Sequence, residues 1–209
     1  MENVEERILR IVHAELSRRS LLKGVIGAAA VAAMPLSSIA FGETQALAAN
    51  LPDDFAILNF ALTLEHLEDV AYRQAIASGK LTGKNAQYVQ QYGDQEHQHV
   101  VLITGALQQA GKTAVAEQAK YNFPAYTDEK AIISFLRVLE ETGVGAYSGA
   151  AQFIKDKGIL AVAGGIQQVE ARHTAILRRQ DGMAPVPNAF EKALTPDMVL
   201  AAAGPILGA

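Results

Sequence analysis

Leu62-Thr63-Leu64-Glu65, with Tyr72 behind it, and then Glu96-His97-Gln98-His99, decide the fold of this chain because the pattern occurs twice. The second copy is Arg137-Val138-Leu139-Glu140 with Tyr147, and then Glu170-Ala171-Arg172-His173. In both halves the tyrosine follows the first glutamate by seven residues, and Glu-x-x-His opens 31 or 30 residues after that glutamate. A repeat of this length is a pair of helices, so two copies make four. Residues three or seven apart on a helix share a face. Each Glu-x-x-His therefore aims a carboxylate and an imidazole at one point, and each tyrosine points into the same interior as its glutamate.

The sum is four carboxylates and two imidazoles converging from four helices: Glu65, Glu96, His99, Glu140, Glu170 and His173. One Glu-x-x-His is a weak signal, because any helical surface can show it as a row of solvated acids. Two copies with matched glutamates and tyrosines are specific. Four buried carboxylates would repel one another and raise their own pKa values unless cations sat among them. Oxygen and nitrogen donors suit two divalent ions, Fe or Mn, and Zn also tolerates them. Tyr72 and Tyr147 either hydrogen-bond a ligand carboxylate or pack in the core with a satisfied hydroxyl. Glu68, three residues after Glu65, is open between a seventh ligand and a solvated neighbour. Glu141 lies about 100° around the helix from Glu140 and is expected at the surface. His66 and His97 point away from the ligand face and are expected at the surface too.

Working outward, Pro52, Asp53 and Asp54 suit a helix start. Apolar residues at spacings of three and four carry the first helix from Phe55 to Ala77, before Ser78-Gly79-Lys80. The second runs from about Asn85 to Ala110, with Gly111 as its stop. Residues 112–127 form a long link that crosses the bundle. Asp128 and its neighbours cap a third helix expected to reach about Lys157, with Gly158 separating it from a fourth, Ile159 to Arg179. Gly164-Gly165 predicts a bend there. Thr195-Pro196-Asp197 opens a short helix to about Ala203, expected to cover its own bundle. No strand alternation is present. The fold class is all-α, an antiparallel four-helix bundle with a crossover connection and a short C-terminal helix.

Composition agrees. Half of the 209 residues are hydrophobic and aromatics make up 6%, which favours packed helices over a sheet. Cysteine is absent, which excludes disulfides, thiolate metal sites and cysteine nucleophiles. Residues 1–48 are charge-balanced, so the net charge of −4 belongs to the remainder. That mildly acidic body has no footprint for nucleic acid.

Residues 1–48 have the order of an address. Arg18-Arg19 stand in Ser17-Arg18-Arg19-Ser20-Leu21-Leu22-Lys23; an uncharged run from Gly24 to Phe41 follows, interrupted by Pro35; Ala46-Leu47-Ala48 offers small residues for cleavage. The paired arginines resemble a twin-arginine export signal, with Leu21 in place of the usual aromatic. The alternative is an uncleaved anchor helix, which Pro35 disfavours. This reading makes residues 49–209 the mature domain, periplasmic or secreted. It makes the twin-arginine translocation machinery a partner during export, after folding and metal loading.

The body, from about Asn50 onward, resembles the ferritin-like superfamily. It is most similar to a bacterial ferritin-like family related to plant desiccation-related proteins. The stretches Asn59 to Glu68, Leu139 to Tyr147, Val186-Pro187-Asn188-Ala189-Phe190 and Leu194-Thr195-Pro196 carry that likeness. The resemblance implies a di-metal centre on the six residues named above. It leaves three functions open. One is a redox enzyme using oxygen or peroxide as a small oxidant. Another is metal binding without turnover, as buffering or as storage; storage alone would need a closed cage, a homo-oligomer. The third is a structural stress protein. The related family has no settled activity to carry over.

Overall fold

The computed structural model describes residues 51 and 53–208. The twin-arginine stretch and its apolar run lie outside the described residues, as does Pro52. Five helices follow in order: α1 Asp54–Ala77, α2 Gly83–Gln109, α3 Glu129–Ala150, α4 Lys157–Gln180 and α5 Pro196–Leu207. Among the described residues there is no strand, and no helix is long and apolar enough to cross a membrane.

Short polar side chains start the helices by accepting hydrogen bonds from otherwise unpaired N–H groups. Asp53 accepts from Ala56 N, Asp128 from Ala131 N, Asp156 from Gly158 N and Ile159 N, and Thr195 from Met198 N. Thr82, at the head of α2, makes no such bond with its side chain. Its backbone N–H, at 2.6 Å, and its hydroxyl, at 3.0 Å, both donate to Glu129 Oε2, which ties the start of α2 to the start of α3. Gly79, Gly111 and Gly208 sit just past helix ends with positive φ, where a side chain would clash with its own backbone.

α1 pairs with α2 and α3 with α4, and the two pairs close on each other through α1 against α3 and α2 against α4. The link from Ala110 to Asp128 travels the length of α1. Asn59 Nδ2 donates to Thr113 O, and Val115 N donates back to Asn59 Oδ1. Further along, Arg73 donates to Glu117 Oε2 at 2.5 Å, Tyr126 to Ala71 O, and Lys80 Nζ to Thr127 O. The link is thus the expected crossover.

Two helix ends and one expected bend differ from the sequence reading. α3 ends at Ala150, not near Lys157. Asp54 draws the chain out of the helix by accepting from the backbone N–H groups of Lys155 and Asp156, and Asp156 then caps α4. Gly164-Gly165 makes no break, and α4 runs through both residues. α5 continues past Ala203 to Leu207, because Ile206 and Leu207 pack on the core and Ile206 O accepts from Asn122 N at 2.7 Å.

Two apolar clusters form. One gathers Leu67, Ala71, Tyr92, Ile132, Leu136 and Leu177 with Val199 and Ala203 of α5, so α5 covers its own bundle as expected. The other gathers Leu58, Leu62, Ile103, Leu107, Tyr147 and Ile166. A layer of buried polar groups lies between them.

The segment before α5 is held on α3 by backbone contact: Leu194 N donates to Gly145 O at 2.9 Å. A Cβ at Gly149 would lie 1.9 Å from Leu194 O, which backbone cannot yield. Gly149→Ala should therefore cost about 1–3 kcal/mol in a urea melt, despite alanine's better helix propensity. Gly164→Ala meets nothing within 4 Å. It should instead gain roughly 0.5–1 kcal/mol. Equal signs for the two substitutions would refute the packing argument.

Candidate metal centre

The repeat brings all six candidate residues into the layer between the clusters. Glu65 comes from α1, Glu96 and His99 from α2, Glu140 from α3, and Glu170 and His173 from α4; all six are buried. Ligand-type atoms of Glu65, Glu96, His99 and Glu170 lie within 4.8 Å of one another, and so do those of Glu96, Glu140, Glu170 and His173. Each group is one repeat plus a glutamate from the other. Glu96 and Glu170 belong to both.

The imidazoles present Nδ1 to the carboxylates. His99 Nδ1 is 3.2 Å from Glu65 Oε2, 3.1 Å from Glu96 Oε2 and 3.0 Å from Glu170 Oε1. His173 Nδ1 is 2.9 Å from Glu96 Oε1 and 3.2 Å from Glu140 Oε1. A ring nitrogen carries at most one hydrogen, so neither can satisfy all of its neighbours. Five oxygens are in fact buried with no hydrogen-bond partner: Glu65 Oε2, Glu96 Oε1, Glu140 Oε2 and both of Glu170. Orphaned buried acceptors on this scale are costly. A donor set of carboxylate oxygens and imidazole nitrogens fits divalent metal ions, which would use those lone pairs.

Both tyrosines resolve to the hydrogen-bonding alternative, and they cross between halves. Tyr72 of α1 donates to Glu140 Oε1 of α3, and Tyr147 of α3 donates to Glu65 Oε1 of α1. This reciprocal pairing requires α1 and α3 to run antiparallel.

Other assignments change. His66, expected at the surface, is buried; its Nε2 lies 3.2 Å from Val115 O, where the crossover covers it. Helical spacing carries no sign of a loop packing on that side. Glu141 is only part-exposed, because it accepts from Arg137 and Arg178. His97 is at the surface as expected. Glu68 is buried within the layer.

Two contacts had no signal in the sequence. Gln95 Oε1 lies 2.6 Å from His173 Nε2. With Nε2 donating its hydrogen to that oxygen, Nδ1 is the nitrogen turned to the carboxylates, where a metal ion would take the place of its proton. Tyr92 stacks on the His173 ring, centroids 4.1 Å apart, and fixes its plane.

Burial sets the protonation balance. It raises Glu170 and Glu68 well above the ordinary carboxylate value, with the neighbouring glutamates adding to the effect. Burial likewise raises Glu140, and it pushes Glu96 up to about 7. For His173 burial acts downward, but Glu140 and Glu96 outweigh it and push the ring up to about 10. His99 is raised in the same way, above all by Glu65.

Every one of these shifts is upward, so the folded protein without metal binds protons more tightly than the unfolded chain. The stability this confers is present in acid and is lost as pH rises from 4.5, the ordinary glutamate value, through about 7 for Glu96. Metal-stripped protein should melt at steadily lower temperature across that window in scanning calorimetry. A melting temperature that climbs over the same interval would contradict this picture of the layer.

Comparisons with known proteins agree with the geometry. A family model described as a ferritin-like domain matches residues 53–182. The crystal structure of a conserved hypothetical protein from Mycobacterium tuberculosis superposes with a TM-score of 0.56 at 22% identity, over 66% of this chain and 96% of that one. The likeness concerns the fold alone. No curated protein matches the chain.

Proposed function

The chain belongs to the ferritin-like domain family, and from that premise we propose that its buried layer holds two divalent metal ions, iron or manganese, and oxidises Fe(II) or removes peroxide. One observation carries the reading: five carboxylate oxygens are buried without a donor beside two imidazole Nδ1 atoms. In this proposal Glu65 and His99 serve one ion, Glu140 and His173 the other, and Glu96 and Glu170 both. When bound, the ions supply the electrons and the open coordination positions that reaction with oxygen or peroxide needs.

The chain's own residues prepare the site. The Tyr72 and Tyr147 hydroxyls each occupy one oxygen of Glu140 and Glu65, which fixes the carboxylate planes. Gln95 holds the His173 tautomer. The apolar clusters on either side keep bulk water out of the layer.

The proposal includes export by the twin-arginine route and a role in stress protection outside the cytoplasm. Arg18-Arg19 and the uncharged run behind them support the export route. The resemblance of the stretches Asn59 to Glu68 and Leu139 to Tyr147 to desiccation-related proteins supports the role.

The experiment is elemental analysis of protein isolated from the periplasm or medium, with Fe(II)-oxidation and peroxide assays on the same sample. Two metals per chain and a metal-dependent rate are expected. Glu65→Ala and His99→Ala should reduce that rate to the level of free metal. Holoprotein with two metals and neither activity would leave only binding or storage. For export, replacing both Arg18 and Arg19 with Lys should retain the chain in the cytoplasm on fractionation; undiminished export would defeat the twin-arginine reading.

A further inference from the structure

Aligning the two halves on Glu65 and Glu140 sets Tyr72 against Tyr147 and Glu68 against Gly143. The halves agree at every proposed ligand and both tyrosines, and they part at this position. In the fold the two mismatched residues meet. A Cβ on Gly143 would lie 3.1 Å from Glu68 Oε1, 3.6 Å from Glu68 Oε2 and 3.4 Å from Glu170 Oε2. Glu68 and Glu170 therefore converge on the space that the missing side chain leaves on α3.

The Glu68 carboxylate has little access to water. The residue is 2% exposed. Among the described residues no donor hydrogen-bonds to it and no cation pairs with it. Its surroundings are the carboxylates of Glu170, Glu140, Glu96 and Glu65. A buried acid set beside a shared ligand, among other carboxylates, is expensive unless it joins the same cations.

We infer that Glu68 is a seventh ligand of the centre, supplied by the first half alone, and that Gly143 is its counterpart, lacking a side chain so that the carboxylate can enter. The two metal positions are then unequal. This rests on the proposed di-metal centre but goes beyond the six residues of the repeated motif.

The test is calorimetric titration of metal-stripped protein with Zn(II), a redox-silent probe, repeated with Co(II) and its visible absorption. Wild-type protein should bind two ions in two steps of different affinity. Glu68→Gln keeps the shape and removes the ligand; it should weaken one step by about tenfold or more. It should also shift the Co(II) spectrum. Gly143→Ala should weaken the same step by displacing Glu68. Glu68→Asp keeps the charge but shortens the reach, and it too should lose affinity. Circular-dichroism melts of the metal-free variants check that each is folded.

Variants that bind both ions as wild type does would overturn the inference and leave the di-metal centre standing. So would an unimpaired Glu68→Asp, since Glu68 would then act only as a charge. Wild-type protein that binds no ion would overturn the di-metal centre itself.

Discussion

Five glutamates share one buried layer with two histidines, and the described ion pairs give that layer no lysine or arginine. Removing a carboxylate from water costs several kcal/mol after relaxation, and like charges add to the cost. Two imidazolium groups cannot balance five carboxylates. The difference is made up by protons, which is why the shifts run upward, or by bound cations. Everything else in the bundle answers that imbalance. The apolar clusters on either side hold four helices together across a layer that by itself repels.

The helices meet this constraint with crossed bonds. Each tyrosine hydroxyl goes to the glutamate of the opposite half, Tyr72 to Glu140 and Tyr147 to Glu65. Had each bonded its own half, two helix pairs could separate without breaking either bond. As built, α1 and α3 cannot slide or part without exposing two buried acceptors. Packing and ligand orientation are thus fixed by the same two contacts. Gln95 and Tyr92 do for the His173 ring what the hydroxyls do for the carboxylates.

The layer was legible in the sequence because it depends on helical spacing, which composition and register state directly. Glu65, Glu96, His99, Glu140, Glu170 and His173 fall on one face at fixed intervals, and they meet where the spacing sends them. What escaped depends on contacts between distant segments. His66 lies off the ligand face, yet the crossover buries it at Val115. Gln95 is an ordinary helix residue until α4 brings His173 to it. The end of α3 was overrun because nothing in residues 151–157 shows that Asp54, a hundred positions earlier, accepts from their backbone. Gly164-Gly165 looked like a hinge because glycine weakens a helix, but propensity is a weak prior beside tertiary packing.

α1 and α3 diverge where Gly143, Gly145 and Gly149 occupy the register of Glu68, Val70 and Gln74. The difference follows from what covers each helix. Val70 and Gln74 border an open cleft whose other wall is the crossover residues Glu117 to Tyr121. On α3 the covering segment is Leu194 and its neighbours, where the backbone N–H of Leu194 donates directly to the carbonyl of Gly145. That approach leaves no room for a Cβ at Gly145 or Gly149. Gly143, two residues before Gly145 and so on the other side of the helix, faces Glu68 instead. A single run of glycines thus serves two demands, a tail docked on the outside and a carboxylate admitted on the inside. Neither demand exists on α1, so only one copy of the repeat could lose its side chains there.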